Sequence, residues 1–111
     1  MKRGEIYFAN LDPTIGSEIR KKRLVLIVSN NANNKAASTI TIVPITSNTK
    51  KIYPFEVLLE IKDSGLPKRS KIQCHQVRTI SKLRIASRRL SILNERAIAC
   101  VDAALKLHLD F

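Results

Sequence analysis

Helical periodicity enters this chain only near its end. Ala97, Ile98, Val101, Ala104 and Leu105 recur at spacings of three and four, the apolar stripe of an amphipathic helix. Ser91 or Asn94 is placed to cap its start, with Glu95 in the first turn, where the helix dipole favours an acid. Upstream, apolar residues fall in short runs divided by turn chemistry. Glu5 to Asn10 opens in alternation and stops before Asp12-Pro13. Leu24 to Val28 is a continuous apolar run, the pattern of a strand buried on both faces. Thr39 to Ile45 alternates Thr, Ile and Val and ends at Thr46-Ser47-Asn48. Tyr53 to Ile61 is a strand with Pro54 at its edge or start, because proline cannot donate to a ladder. Ser70 to Ile80 is the last long strand, and Ser81 to Arg84 makes one helical turn. Asn30 to Asn34, with four Asn in five residues, reads as a loop, and Asp63 to Pro67 as a turn. Five short strands followed by one helix predict a mainly β (α+β) fold. Its architecture is a small antiparallel barrel or curled sheet with a C-terminal helix over one end or face.

A chain of 111 residues makes one domain, residues 1–111, large enough to bury a core without staples. No apolar run approaches the roughly 18 residues that span a bilayer. The charged N-terminus has no apolar signal core, so a cytoplasmic protein with no membrane partner is expected. Cys74 and Cys100 stand apart with no CxxC and no histidine at ligand spacing, and two buried free thiols with no metal are expected. With three glycines and neither a Walker loop nor GxGxxG, no nucleotide cofactor is expected.

Charge is the second constraint. Twenty Lys and Arg against nine Asp and Glu give a net charge of +11. From Ile19 to Phe55 there is no acid and seven bases, and from Ser64 to Asn94 no acid and eight bases. If the two windows meet in space they form one cationic surface, the footprint of a phosphate-backbone binder. On this charge argument Arg20, Lys21, Lys22 and Arg69 are candidate nucleic-acid-binding residues. The five aromatics, Tyr7, Phe8, Tyr53, Phe55 and Phe111, read as core or interface rather than as stacking platforms.

Specific motifs then appear in order: Arg3-Gly4-Glu5-Ile6-Tyr7, Leu11-Asp12-Pro13-Thr14, Gly16-Ser17-Glu18, and Arg23 leading into Val25–Val28 and Ser29-Asn30-Asn31. They continue with Val43-Pro44-Ile45-Thr46-Ser47, Tyr53-Pro54-Phe55-Glu56-Val57, Gln76-Val77-Arg78-Thr79-Ile80, and Val101-Asp102 with Ala104-Leu105. Together, over nearly the whole chain, they resemble the MazF/PemK family of toxin ribonucleases. The resemblance implies an SH3-like barrel with a C-terminal helix and a two-fold homodimer. It implies cleavage of single-stranded RNA at short motifs without a metal, leaving 2′,3′-cyclic phosphate and 5′-hydroxyl ends. It also implies a cognate antitoxin that lays an acidic segment across the RNA-binding surface.

Arg23 matches the family's catalytic arginine and Thr46 its catalytic threonine. Attack by the 2′-oxygen builds a five-coordinate dianion, and a planar guanidinium suits its oxygens bidentately. Arginine is a poor base, being protonated at ordinary pH, so acid and electrostatic work is assigned to Arg23. Glu18 is the nearest matched carboxylate and is the candidate acceptor of the 2′-proton, with loop anchoring or pairing to Arg23 as its alternative role. Ser17, Asn30, Gln76 and Arg78 match polar positions that line the family's RNA groove.

The chain departs from the family in three places. Leu24 stands where a proline usually follows the catalytic arginine, which frees φ there. Ile19-Arg20-Lys21-Lys22 replaces a small, Gly-rich segment, and His75 replaces an acid or other polar residue. The competing function is a non-catalytic nucleic-acid binder on the same barrel. Gyrase-poisoning relatives of the fold act through a C-terminal Trp, whereas this chain ends Leu109-Asp110-Phe111.

Overall fold

A computed structural model of the chain describes residues 1–12 and 22–111. The strands are β1 (Glu5–Asn10), β2 (Lys22–Ile27), β3 (Thr39–Thr46), β4 (Glu56–Leu59), β5 (Ser70–Gln73), β6 (Arg78–Ser81) and β7 (Ser91–Ile92). The helices are α1 (Asn31–Ala36), the single turn α2 (Ile61–Ser64) and α3 (Glu95–Leu109). All pairings are antiparallel, in the spatial order β4-β5-β3-β2-β1-β7, with β6 also beside β3. The sheet curls into a half-barrel with α3 against it, as the strand-then-helix pattern predicts.

Alternation sorts the strand residues into two cores. Ile6, Leu26, Val43, Ile45 and Ile72 join Ala97, Val101 and Ala104 of α3 in one. Tyr7, Ala9, Val25, Ile27, Ile40, Ile42 and Ile80 form the other. Strand β2 feeds both, Leu24 and Leu26 to the first and Val25 and Ile27 to the second, which is why its sequence is continuously apolar.

The expected strand from Ser70 to Ile80 is in fact two. A 3₁₀ turn at Cys74–Gln76 divides it. Strand β5 then pairs with Ile45 and Thr46 at one end of β3, while β6 pairs with Thr39 to Ile42 at the other. Pro44 lies in the gap between those two ladders and has no N–H to give. This division bends the sheet. The Tyr53-to-Ile61 strand is also shorter than expected, since its last residue opens α2.

The Asn-rich segment is a helix, not a loop. The Asn30 side chain accepts the Asn33 amide at 2.8 Å and caps α1. Asn34 is buried and its amide donates to the Ser29 carbonyl at 2.8 Å. Asparagine's turn preference is here spent on a cap and a buried polar contact.

Of the two possible caps for α3, Asn94 is the one used. It accepts the Ala97 amide at 2.9 Å and donates to Asp63 at 2.8 Å. Arg3 fastens the N-terminus to the same helix through an ion pair with Asp102 and donates to the Val28 carbonyl at 2.9 Å. Gly4 is required beside this junction: its φ is +90°, and a Cβ there would lie 3.2 Å from Ile98 Cδ1. Cys74 is buried, with its thiol pushed up to about 12 by burial, whereas Cys100 is exposed on α3 and corrects the expectation of two buried thiols.

Candidate active site

The β2–β3 register aligns Leu24 with Ile45. One further step sets Arg23 opposite Thr46, and both line a cleft of about 210 Å³ at that end of the sheet. The β1–β2 ladder holds Arg23 opposite Ala9, and the β3–β5 ladder holds Thr46 opposite Lys71. Leu24, at the family's proline position, is itself laddered between Phe8 and Ile45 and packs on the first core. Strand pairing therefore fixes the Arg23 backbone where a proline would otherwise restrain the next residue.

Phe8, Lys22, Leu24, Ile45, Ser47, Leu66, Pro67, Lys68 and Ser70 are the other described residues that line the cleft. Among the described lining residues three, Lys22, Arg23 and Lys68, are cationic and none is acidic. Lys22 and Arg23 come from the first acid-free window and Lys68 from the second, so the two windows meet here. The Thr46 hydroxyl oxygen accepts the Asn48 amide at 3.3 Å, which leaves its O–H free to donate.

The other sequence-derived residues fall in different places. Ser17, Glu18, Arg20 and Lys21 lie outside the described residues. Arg78 opens β6 and its guanidinium donates to the Leu11 carbonyl at 3.4 Å. Arg84 beside it donates to the Asn10 carbonyl at 3.1 Å and to that of Asp12. Arg69 is paired with Glu60 at 3.1 Å, and Gln76 ends the 3₁₀ turn; neither lines the cleft. Asn30 sits at the opposite end of β2 from Arg23, occupied as the α1 cap.

His75 is not part of the cleft. Its ring packs 4.4 Å from that of Phe55 and 6.4 Å from that of His108 on the α3 side. Burial pushes its pKa down; Glu56 opposes this, and His108 and Lys71 add to it. Among the described residues no group of three or more His, Cys, Asp or Glu side chains is placed to hold a metal ion. No helix there is long and apolar enough to cross a membrane. Sequence reasoning missed Lys68 and Phe8 as cleft residues, and the only signal for Lys68 was its place in the second basic window.

A cationic cleft at the strand ends of a curled sheet, lined by an arginine and a threonine, has the donors and charge to hold a phosphodiester. The chain matches the model for the PemK-like, MazF-like toxin of type II toxin–antitoxin systems over residues 2–109, and it belongs to that family. It is 43% identical over 115 residues to the endoribonuclease MazF9 of Mycobacterium tuberculosis, covering 99% of this chain and 97% of the relative. It is 34% identical over 110 residues to the endoribonuclease EndoA of Bacillus subtilis, covering 98% and 94%. Among solved structures, MazF of Deinococcus radiodurans superposes with a TM-score of 0.86 at 24% identity, covering 100% of this chain and 97% of that one. A mycobacterial endoribonuclease in complex with its cognate antitoxin superposes at 0.82 with 22% identity, covering 100% and 96%. Both structures share the fold.

Proposed function

We propose that this chain is a toxin endoribonuclease that cleaves single-stranded RNA at short sequence motifs without a metal, acting in the cytoplasm as a homodimer of single-domain chains. The observation that carries this reading is that Arg23 and Thr46, one register step past the Leu24–Ile45 pair, line one cleft whose described charged residues are all cationic, within a family whose curated relatives are named endoribonucleases.

The chemistry follows from the groups present. The scissile phosphate enters the cleft with its non-bridging oxygens toward Arg23 and Thr46. The ribose 2′-oxygen attacks phosphorus, the P–O5′ bond breaks, and a 2′,3′-cyclic phosphate and a 5′-hydroxyl result. Negative charge grows on the non-bridging oxygens in the transition state, where the guanidinium fork and the threonine O–H stabilise it most. Glu18 is the assigned acceptor of the 2′-proton and Arg23 the donor toward the leaving 5′-oxygen. Lys22 adds positive charge at the rim of the cleft, with Arg20 and Lys21 next to it in sequence. Ser17, Asn30, Arg69, Gln76 and Arg78 remain assigned to more distant RNA contacts. A cognate antitoxin with an acidic extended segment neutralises the toxin by covering this cationic cleft.

Mixed-sequence RNA incubated with the purified chain in EDTA tests the proposal. Cyclic-phosphate ends at a recurring short motif, lost in Arg23→Ala, are expected. RNA left intact at micromolar protein, with tight and steeply salt-dependent binding, would instead establish a non-catalytic nucleic-acid binder.

A further inference from the structure

The basic run Lys68-Arg69-Ser70-Lys71 is divided by its partners. Arg69 is held by Glu60 at 3.1 Å. Lys71 is buried against Glu56 at 3.1 Å and donates to the Lys51 carbonyl at 2.8 Å. Lys68 is exposed, lines the cleft, and its ammonium has no hydrogen bond or ion pair among the described residues. The segment that carries it is fixed at both ends. Gly65 turns the chain at φ +68°, the Leu66 amide donates to Ser64 Oγ at 3.0 Å, and Leu66 is buried. Beyond it, Ser70 Oγ donates to the Lys68 carbonyl at 3.0 Å. A free cation is therefore presented to the cleft on a braced support, among the residues that also include Arg23.

Phe8 is the aromatic member of the same lining. It is 40% exposed although it stands in a paired strand between two buried neighbours, Tyr7 and Ala9. An aromatic face open to a cationic cleft is the usual way proteins hold an unstacked base beside its phosphate.

We propose that Lys68 and Phe8 form a subsite for the nucleotide next to the scissile linkage, with Lys68 on the neighbouring phosphate and Phe8 against the base. The subsite rests on the ribonuclease reading for its place relative to the cut, and on the cleft alone for its affinity. Lys68 and Phe8 position the strand, while Arg23 and Thr46 act on the reacting phosphate.

The test uses the full chain, a single-site RNA oligonucleotide, and the same oligonucleotide with a 2′-deoxy sugar at the cut, which binds without reacting. Lys68→Gln should reduce the slope of log K against log salt by about 0.7, one single-strand phosphate contact. Lys35→Gln, the same charge change on the exposed face of α1, should leave that slope unaltered. Phe8→Leu should leave the slope as in the parent and weaken binding about tenfold, within the range of one lost base–aromatic stack. Both variants should raise KM more than they lower kcat, and both should melt within a few degrees of the parent. A parental slope in Lys68→Gln, or parental affinity in Phe8→Leu, overturns the subsite while leaving the ribonuclease reading intact. A parent that never cuts RNA overturns that reading, and the binding measurements then still decide the subsite.

Discussion

Arg23 and Thr46 line one cleft from adjacent strands, each the next residue past the Leu24–Ile45 pair, and each is tied on its other side to a further strand. Neither depends on a loop for its backbone position. Loss of either side chain should therefore cost catalysis with little change in stability. Arg23→Ala is expected to lower kcat by about 10²–10³-fold, the range for one preorganised donor to a developing oxyanion. Arg23→Lys should recover little, because a point charge lacks the bidentate fork. Thr46→Val should cost about 10- to 100-fold. Single-turnover cleavage, with thermal melting as the fold control, gives these values.

Lys71, opposite the cleft residue Thr46 in the β3–β5 ladder, pairs with Glu56, and their side chains are only 11% and 2% exposed. Glu56 also accepts the Tyr53 amide at 3.0 Å. Removing the carboxylate leaves an ammonium buried without its counter-charge. Glu56→Ala should lose about 3 kcal/mol in urea unfolding, and joint replacement with Lys71→Met and Glu56→Leu should lose much less. A loss below about 1 kcal/mol in Glu56→Ala would mean that the pair behaves like one on the surface.

Stability should fall on mild acidification, and His75 should cause part of the fall. Burial holds its pKa below the ordinary value of about 6.5 in the folded chain. As pH drops below about 6.5 the unfolded chain takes up the proton first, so stability declines until the pH passes the folded pKa. The carboxyls of Glu5 and Asp63, held below their ordinary range by hydrogen bonds and by Arg89 and Arg96 respectively, stay ionised through that interval. His75→Gln should flatten the melting temperature between pH 7.5 and pH 5 relative to the parent. Equal slopes in the two proteins would remove His75 from the account.

Asn30 offers a direct contrast between capping and RNA binding. Asn30→Ala should lose about 1 kcal/mol of stability, and Asn30→Asp should retain most of it, because either oxygen can accept the Asn33 amide. Urea unfolding of the two variants measures this difference.

Legibility in the sequence depended on whether a signal was local. Strand β2 was readable because continuous burial leaves a continuous apolar run. The α3 stripe was readable because burial of one helix face leaves apolar residues at spacings of three and four, although the choice between Ser91 and Asn94 as its cap was not. The Asn30–Asn34 stretch misled because the same residue type serves turns and helix caps, and only the Ser29–Asn34 contact decides between them. The break at Cys74–Gln76 carries no Gly or Pro; its cause lies partly in β3, where Pro44 sits between two ladders. Arg23 and Thr46 were readable through family motifs, and charge counting located the basic windows. Lys68 was hidden because its distinction from Arg69 and Lys71 is a matter of partners, which only the folded chain supplies.

In the proposed reaction the nucleophile is the RNA's own 2′-oxygen. The most direct measurement places a single 2′-deoxy sugar on the 5′ side of a mapped cleavage linkage and follows cutting in EDTA. Cleavage at that linkage should vanish while a second, unmodified site on the same strand is cut at its normal rate. Continued cutting at the deoxy linkage, with a 5′-phosphate on the product, would contradict the account.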